Sequence, residues 1–269
     1  MAYVKGNQGF VMLSDKQTTF GTKKAPTITG TIQAGEDLRE IREGKGVQTN
    51  AIRNSESPTY QLLGKIRAEG TLTYEYFPDE TMGINLALLL GTNNTVSGNV
   101  STGFTHTFNA SSACTQYPES GITIQKFVGG CGSAMLFDFD TCFANTFTLT
   151  VPEDGVVTYA VNYMGVKNTV AGTKANPVYS TKAPFEGWMA HLEVGADIAS
   201  TSAIKIKEAT LTVSNNIQML PDRNASTRYM TAVSYGSRTV ELSFSLSQED
   251  NLTLYNYAKN DTVNAMTLG

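Results

Sequence analysis

The sequence predicts a mainly β protein, a sandwich or barrel with short flanking helices, and three observations carry that expectation. Five stretches alternate bulky apolar with small polar residues. Leu72, Tyr74 and Tyr76 interleave with Thr71, Thr73 and Glu75; Phe147, Leu149 and Val151 with Thr146, Thr148 and Thr150. Val157, Tyr159, Val161 and Tyr163 interleave with Thr158, Ala160 and Asn162; Leu211 and Val213 with Thr210, Thr212 and Ser214; Leu242, Phe244 and Leu246 with Glu241, Ser243, Ser245 and Ser247. A period of two sends neighbouring side chains to opposite faces of a sheet, so one face is a core and the other a wet wall of hydroxyls. Second, Pro152-Glu153-Asp154-Gly155 separates two of these runs, and Asp-Gly in that setting marks a hairpin. Third, helix signals are few and short: Pro78-Asp79-Glu80 opens a helix expected to end at Leu90, capped by Gly91, and Gln248-Glu249-Asp250 opens another.

In chain order, residues 1–27 read as an irregular arm punctuated by Gly6, Gly9, Gly21 and Pro26. A strand is expected at 28–34. A polar excursion without sustained period fills 35–64, a length that compact domains rarely leave without a task. A strand at 67–77 and the first helix follow, then short edge strands and loops over 92–145, around 104–108 and 122–127. The hairpin of 147–151 and 156–164 comes next. A flexible connection over 171–183 leads to strands at 188–194 and 204–214, a second polar excursion at 215–235 and a strand at 238–247.

The order of strand, excursion, strand and acidic helix start occurs twice. An offset of 242 − 72 = 170 takes Leu72, Tyr74 and Tyr76 onto Leu242, Phe244 and Leu246. The organisation read from this is an arm (1–27), a first unit (28–170), a linker (171–183) and a second unit (184–269) that repeats the first. Two unrelated hairpins would give the same rhythm, so pattern alone leaves both readings open. A duplicated second unit has no counterpart of the 147–164 hairpin, and on that reading a C-terminal hairpin is expected beyond Gly269.

Charged residues make up 16% of the 269 residues and the net charge is −4, against roughly 25% charged in ordinary soluble domains. That suits a surface covered by neighbours or one that must not grip a charged passenger, although a neutral secreted β protein has the same composition. Lys23, Lys24, Arg39, Arg42, Lys45, Arg223 and Arg228 are scattered, with no interleaved aromatics to build a nucleic-acid groove. Cys114, Cys131 and Cys142 are an odd set without close spacing, as expected of reduced thiols. The longest apolar run, 86–90, is far too short to cross a bilayer, and no membrane partner is expected.

Little catalytic chemistry is available. His106 and His191 stand without ligand spacing, and Asp138 with Asp140 is expected to be a solvated or interface pair. Gly130-Cys131-Gly132-Ser133 is neither a nucleophile elbow nor a phosphate loop. No catalytic residue, metal site or cofactor is expected, and the chain reads as non-enzymatic.

Several segments then carry a likeness: Gln17-Thr18-Thr19-Phe20-Gly21-Thr22 with Ala25-Pro26, Gly70-Thr71-Leu72-Thr73-Tyr74-Glu75, Phe104-Thr105-His106-Thr107-Phe108, Pro184-Phe185-Glu186-Gly187-Trp188 and Gly236-Ser237-Arg238. In their succession along the whole chain, the protein resembles the tail tube proteins of long-tailed bacteriophages, the major tail protein family. The resemblance implies a tail-tube-type sandwich or barrel that self-assembles into stacked rings, hexameric or trimeric with duplicated units, forming a conduit for genome ejection. It implies a lumen faced by Thr71, Thr73, Glu75, Thr146, Thr148, Thr150, Thr158, Asn162, Thr210, Thr212, Glu241, Ser243 and Ser245. Contacts between subunits or rings are expected at Phe10, Phe20, Arg39, Arg42, Arg53, Tyr60, Arg223, Arg228 and Tyr229. The implied partners are copies of the chain, a tape-measure protein, tail terminator and distal-tail proteins, and DNA in unspecific transit. The implied location is the virion tail, assembled in the host cytoplasm. The rival readings are a distal-tail or connector ring protein and a carbohydrate-binding sandwich adhesin using Trp188 with Tyr179 or Tyr117.

Overall fold

The computed structural model describes residues 9–32, 37–42, 47–48, 61–62, 64–91, 94–99, 103–108, 120–129, 135–170, 173–190, 192–195, 201–204, 206–221, 228–246 and 265–268. In chain order its strands begin with β1 (Phe10–Leu13), β2 (Ile28–Gly30), β3 (Asp37–Arg42), β4 (Val47–Gln48), β5 (Gln61–Leu62) and β6 (Ile66–Glu75). Helix α1 (Glu80–Leu90) precedes β7 (Asn94–Asn99), β8 (Gly103–Phe108), β9 (Ile122–Val128), β10 (Met135–Val151), β11 (Thr158–Gly165) and β12 (Lys167–Val170). The rest are β13 (Leu192–Gly195), β14 (Thr201–Ile204), β15 (Ile206–Ser214), β16 (Gln218–Pro221), β17 (Met230–Ser234), β18 (Thr239–Leu246) and β19 (Ala265–Leu268).

Two antiparallel layers share one long strand. The first half of β10 lies in the layer β2-β1-β9-β10-β12, and its second half in the layer β3-β6-β11-β10-β15-β18. The strand turns between them at Thr141, whose φ of 55° is left-handed, and the pairing slips there against β9 and again near Asn145 against β11. Apolar residues of both layers meet inside: Val11, Leu13, Ile122, Ile124 and Phe139 against Leu72, Tyr74, Phe147, Tyr159, Val161 and Val213. The rings of Tyr74, Tyr159 and Phe147 stack in sequence at 5.1 and 5.6 Å between centroids.

Helix α1 closes one side of this core with Leu88 and Leu89. Its start is fixed by Asp79, whose carboxylate accepts from the Thr81 amide at 2.9 Å, and its end by Gly91 at φ 110°. The buried Asn85 accepts a hydrogen bond from the Tyr163 hydroxyl at 2.5 Å, and that hydroxyl lies 3.0 Å from the Tyr74 hydroxyl. Burial pushes the Tyr163 phenol well up. The helix terminus is held from far along the chain: the Leu89 carbonyl accepts from Asn215 Nδ2 at 2.7 Å and from the Arg238 guanidinium at 2.9 Å. A guanidinium suits a helix C-terminus, where carbonyls lack partners and the dipole is negative. Arg238→Ala should therefore cost roughly 1.5–3 kcal/mol in urea unfolding, and a loss below about 0.5 kcal/mol would refute this role.

The two excursions are ribbons rather than featureless loops. β4 pairs β5 between β3 and β6, and β16 pairs β17 between β15 and β18. Residues 10–13 are a fully buried strand, so this part of the anticipated arm belongs to the sandwich. The segment after it is bound too. Gln17 donates to Thr123 at 2.9 Å and accepts from Thr141 at 2.9 Å, and the amides of Gly21 and Lys24 reach Thr141 and Thr123, each at 3.0 Å. Residues 135–145, within the stretch expected to hold only short edge strands and loops, form over half of the long β10; from Leu136 to Ala144 both faces are largely covered, so no alternation marks them in the sequence. A short 3-10 turn, Gly187–Met189, stands where a strand was expected to begin. The helix anticipated after Gln248 lies outside the described residues.

Candidate functional site: a hydroxyl-lined sheet face

The second layer brings the anticipated wall residues into register. Residues directly opposite one another on paired strands share a face. One row runs Thr71–Asn162–Thr146–Ser214–Thr239 across β6, β11, β10, β15 and β18. The next runs Thr73–Ala160–Thr148–Thr212–Glu241, and the third Glu75–Thr158–Thr150–Thr210–Ser243. Ser245 extends the face opposite Glu208, its hydroxyl 3.2 Å from that carboxylate. All of these side chains are exposed or half-buried, whereas Leu72, Tyr74, Phe147, Tyr159, Val161 and Val213 between them are buried. The sheet is therefore two-faced from β6 to β15, whereas at the edge strand β18 the apolar side is open as well, with Val240 65% exposed.

Neighbouring rows are laced weakly. Asn162 Nδ2 donates to Thr71 Oγ1 at 3.2 Å, and the hydroxyls of Thr146 and Ser214 lie 3.4 Å apart. No lysine or arginine stands on these rows; their charges are the carboxylates of Glu75, Glu241 and Glu208, and Asp37 on β3 stands opposite Thr71. Such a face keeps its water and offers a polyanion nothing to condense on. Ser214 was already part of the alternation, and two further members of the face, Thr239 and Glu208, were legible as its continuations. Beyond the Thr71–Thr146 row the face carries charge on the β3–β6 side, where Arg39 stands opposite Glu69 and Arg67 Nε lies 2.9 Å from that carboxylate; on β10, Phe143 is covered by the rings of Phe20 at 6.1 Å and Tyr235 at 6.5 Å.

The residues expected at contacts between copies are dispersed. Phe10 is spent inside the chain: it is buried in β1, stacked on Phe127 at 5.0 Å under the ammonium of Lys174. Phe20 is half-buried on Phe143. Arg39 and Arg42 are exposed on β3, with Arg42 Nε 2.8 Å from Glu40. The Arg228 carbonyl accepts from the Ile66 amide at 3.0 Å, and Tyr229 bridges Ile66, so the second ribbon returns beside the start of β6. Arg53, Tyr60 and Arg223 lie outside the described residues.

Asp138 and Asp140 are not a solvated pair. Both are buried in β10: Asp138 is held by Lys23 and by Gln125 Nε2 at 2.8 Å, and Asp140 has Lys167 at 3.8 Å. Burial raises the Asp140 carboxyl above the usual range, with Lys167 and Lys23 pulling the other way. Cys142 is a free thiol buried in the core, pushed up by burial first and by Asp140 second. His106 is exposed on β8, and His191, Cys114 and Cys131 lie outside the described residues. Among the described residues no group of three or more metal-ligating side chains gathers, and no helix is long and apolar enough to cross a membrane.

No curated protein matches the sequence. The family model described as phage tail tube protein matches residues 6–269, nearly the whole chain, in agreement with the antiparallel β architecture. The chain belongs to the phage tail tube protein family, structural proteins of the virion tail.

Proposed function

We propose that the hydroxyl face is the inner wall of a hollow tube made of stacked rings, through which the genome leaves at ejection. The observation that carries this reading is the six-stranded sheet with ordered hydroxyl rows and an edge at each side. Among the described residues β3 pairs only β6, and β18 pairs only β15. Five successive antiparallel pairings make β3 and β18 run in opposite directions. Placing β18 of one copy beside β3 of the next continues the alternation, and a rotation that closes satisfies both edges.

The described strands favour one ring size on magnitude. Three chains supplying six strands each give a barrel of about 18 strands and a backbone diameter of about 36 Å, whereas six chains give about 72 Å. A duplex about 20 Å wide, flanked by short Thr and Ser side chains, fits the smaller barrel with its water. We therefore favour three chains per ring, each a duplicated unit. The repeated order of β3, ribbon, β6 and of β15, ribbon, β18 supports that duplication. Before ejection the same lumen would enclose a tape-measure protein, and terminator and distal-tail proteins would close the two ends.

The test is direct. Full-length chain carrying Thr148→Cys, assembled and labelled with maleimide-gold, should place label on the tube axis in electron micrographs, with unsubstituted chain labelled in parallel for the native thiols. Label on the outer surface, or assemblies without a central channel, would overturn the reading.

A further inference from the structure

The two ends of the six-stranded sheet are unlike. Both ribbons, β4–β5 and β16–β17, leave from the end marked by Thr71, Thr146 and Ser214. The opposite end carries the β10–β11 turn, and over it lies the segment 185–190. That segment is pinned: the Val157 amide donates to the Phe185 carbonyl at 2.9 Å, the Phe185 amide to the Tyr76 carbonyl at 2.9 Å and the Gly187 amide to the Gly155 carbonyl at 2.8 Å. A Cβ at Gly187 would lie 1.9 Å from the Pro152 carbonyl oxygen, so only glycine permits this approach. The anchored backbone displays Trp188, 69% exposed, beside Met189 and the ring of Phe185, with the indole N–H donating to Glu186. A rigidly presented, solvent-facing indole is the usual anchor of an interface.

The ribbon at the other end has matching needs. β16–β17 is two strands wide, which is marginal alone in water, and it exposes Leu220. Charge is complementary as well. Glu153, Asp154 and Glu186 stand exposed around the platform, against Lys182 and Lys207 at that end. Arg42, Lys65 and Arg228 gather about Ile66 at the ribbon end, where Arg42 is paired with Glu40.

We propose that the platform of Trp188, Met189 and Phe185 seats the β16–β17 ribbon of the next copy along the tube axis, with Leu220 as the apolar contact. The proposal rests on the tube reading above, because a tube repeats the chain so that unlike ends meet, and such a head-to-tail contact extends without limit. The occupant is a second copy of this chain.

Full-length Trp188→Ser and Leu220→Ser chains should fold with unchanged melting, since both side chains are exposed, and should still close into rings. Stacking of those rings, followed by sedimentation and electron microscopy, should require at least about tenfold more protein. The double variant should lose little more than either single one, because both remove the same contact. Tubes of normal length from either variant, or losses that simply add, would overturn the contact while leaving the tube reading intact. Trp188-dependent binding of an oligosaccharide array by a stable monomer would overturn it in favour of an adhesin. Unsubstituted chain that forms neither rings nor tubes would remove the tube reading and this contact together.

Discussion

Virions whose tube chain carries Thr73→Lys or Ser245→Lys should build tails of normal length and yet infect poorly. Thr73 is half-buried in the middle row of the hydroxyl face, and Ser245 lies at its margin opposite Glu208. Neither side chain reaches the core, so the sheet should tolerate a lysine stem lying along it. The consequence is electrostatic and cumulative. On the proposed tube reading, one substitution would repeat in every copy of every ring and add ammonium groups to rows that carry no lysine or arginine. Each phosphate–lysine contact releases condensed counterions and holds the duplex, so plaque-forming efficiency should fall by at least about tenfold, and more steeply at low salt. Thr73→Ser, which keeps the hydroxyl, should infect normally. Undiminished infectivity of both lysine variants, with tails of normal length, would mean that this face does not meet DNA.

Two adjacent residues of β10 should respond very unequally to truncation. Phe147 is 2% exposed and stacks on Tyr159, which in turn stacks on Tyr74; Thr148 points to the other side of the same strand. Phe147→Ala removes a ring from a packed interior that cannot close over the gap, and should cost about 3–5 kcal/mol. Thr148→Ala removes a half-exposed methyl and hydroxyl and should stay within about 0.5 kcal/mol. Urea unfolding of the two variants beside the parent chain measures both. Similar costs for the two would contradict the division of the sheet into a packed and a wet face.

That division was legible without coordinates because a strand has a period of two and each half of the pattern obeys a different solvent. Leu72, Tyr74, Phe147, Tyr159 and Val161 had to find an interior, and Thr71, Thr73, Thr148 and Thr158 had to keep water. The cap of α1 was equally local, since Asp79 and Gly91 act on backbone groups within one helical turn. The hairpin turn at Gly155, with φ 110°, needed only its own four residues.

Tertiary structure alone decided what depends on partners distant in sequence. Residues 10–13 became a core strand because β9 and β2 were there to pair with, although four apolar residues amid polar ones carry no period of their own. Asp138 and Asp140 could go inside because Lys23 and Lys167 arrive from other parts of the chain, and a buried carboxylate needs such a neighbour. The motif Gly236-Ser237-Arg238 gained its meaning from a helix end about 150 positions away, where Arg238 meets the Leu89 carbonyl. Local alternation chose which side chains face water; only long-range pairing, which no short window of sequence encodes, assembled those sides into one continuous wall.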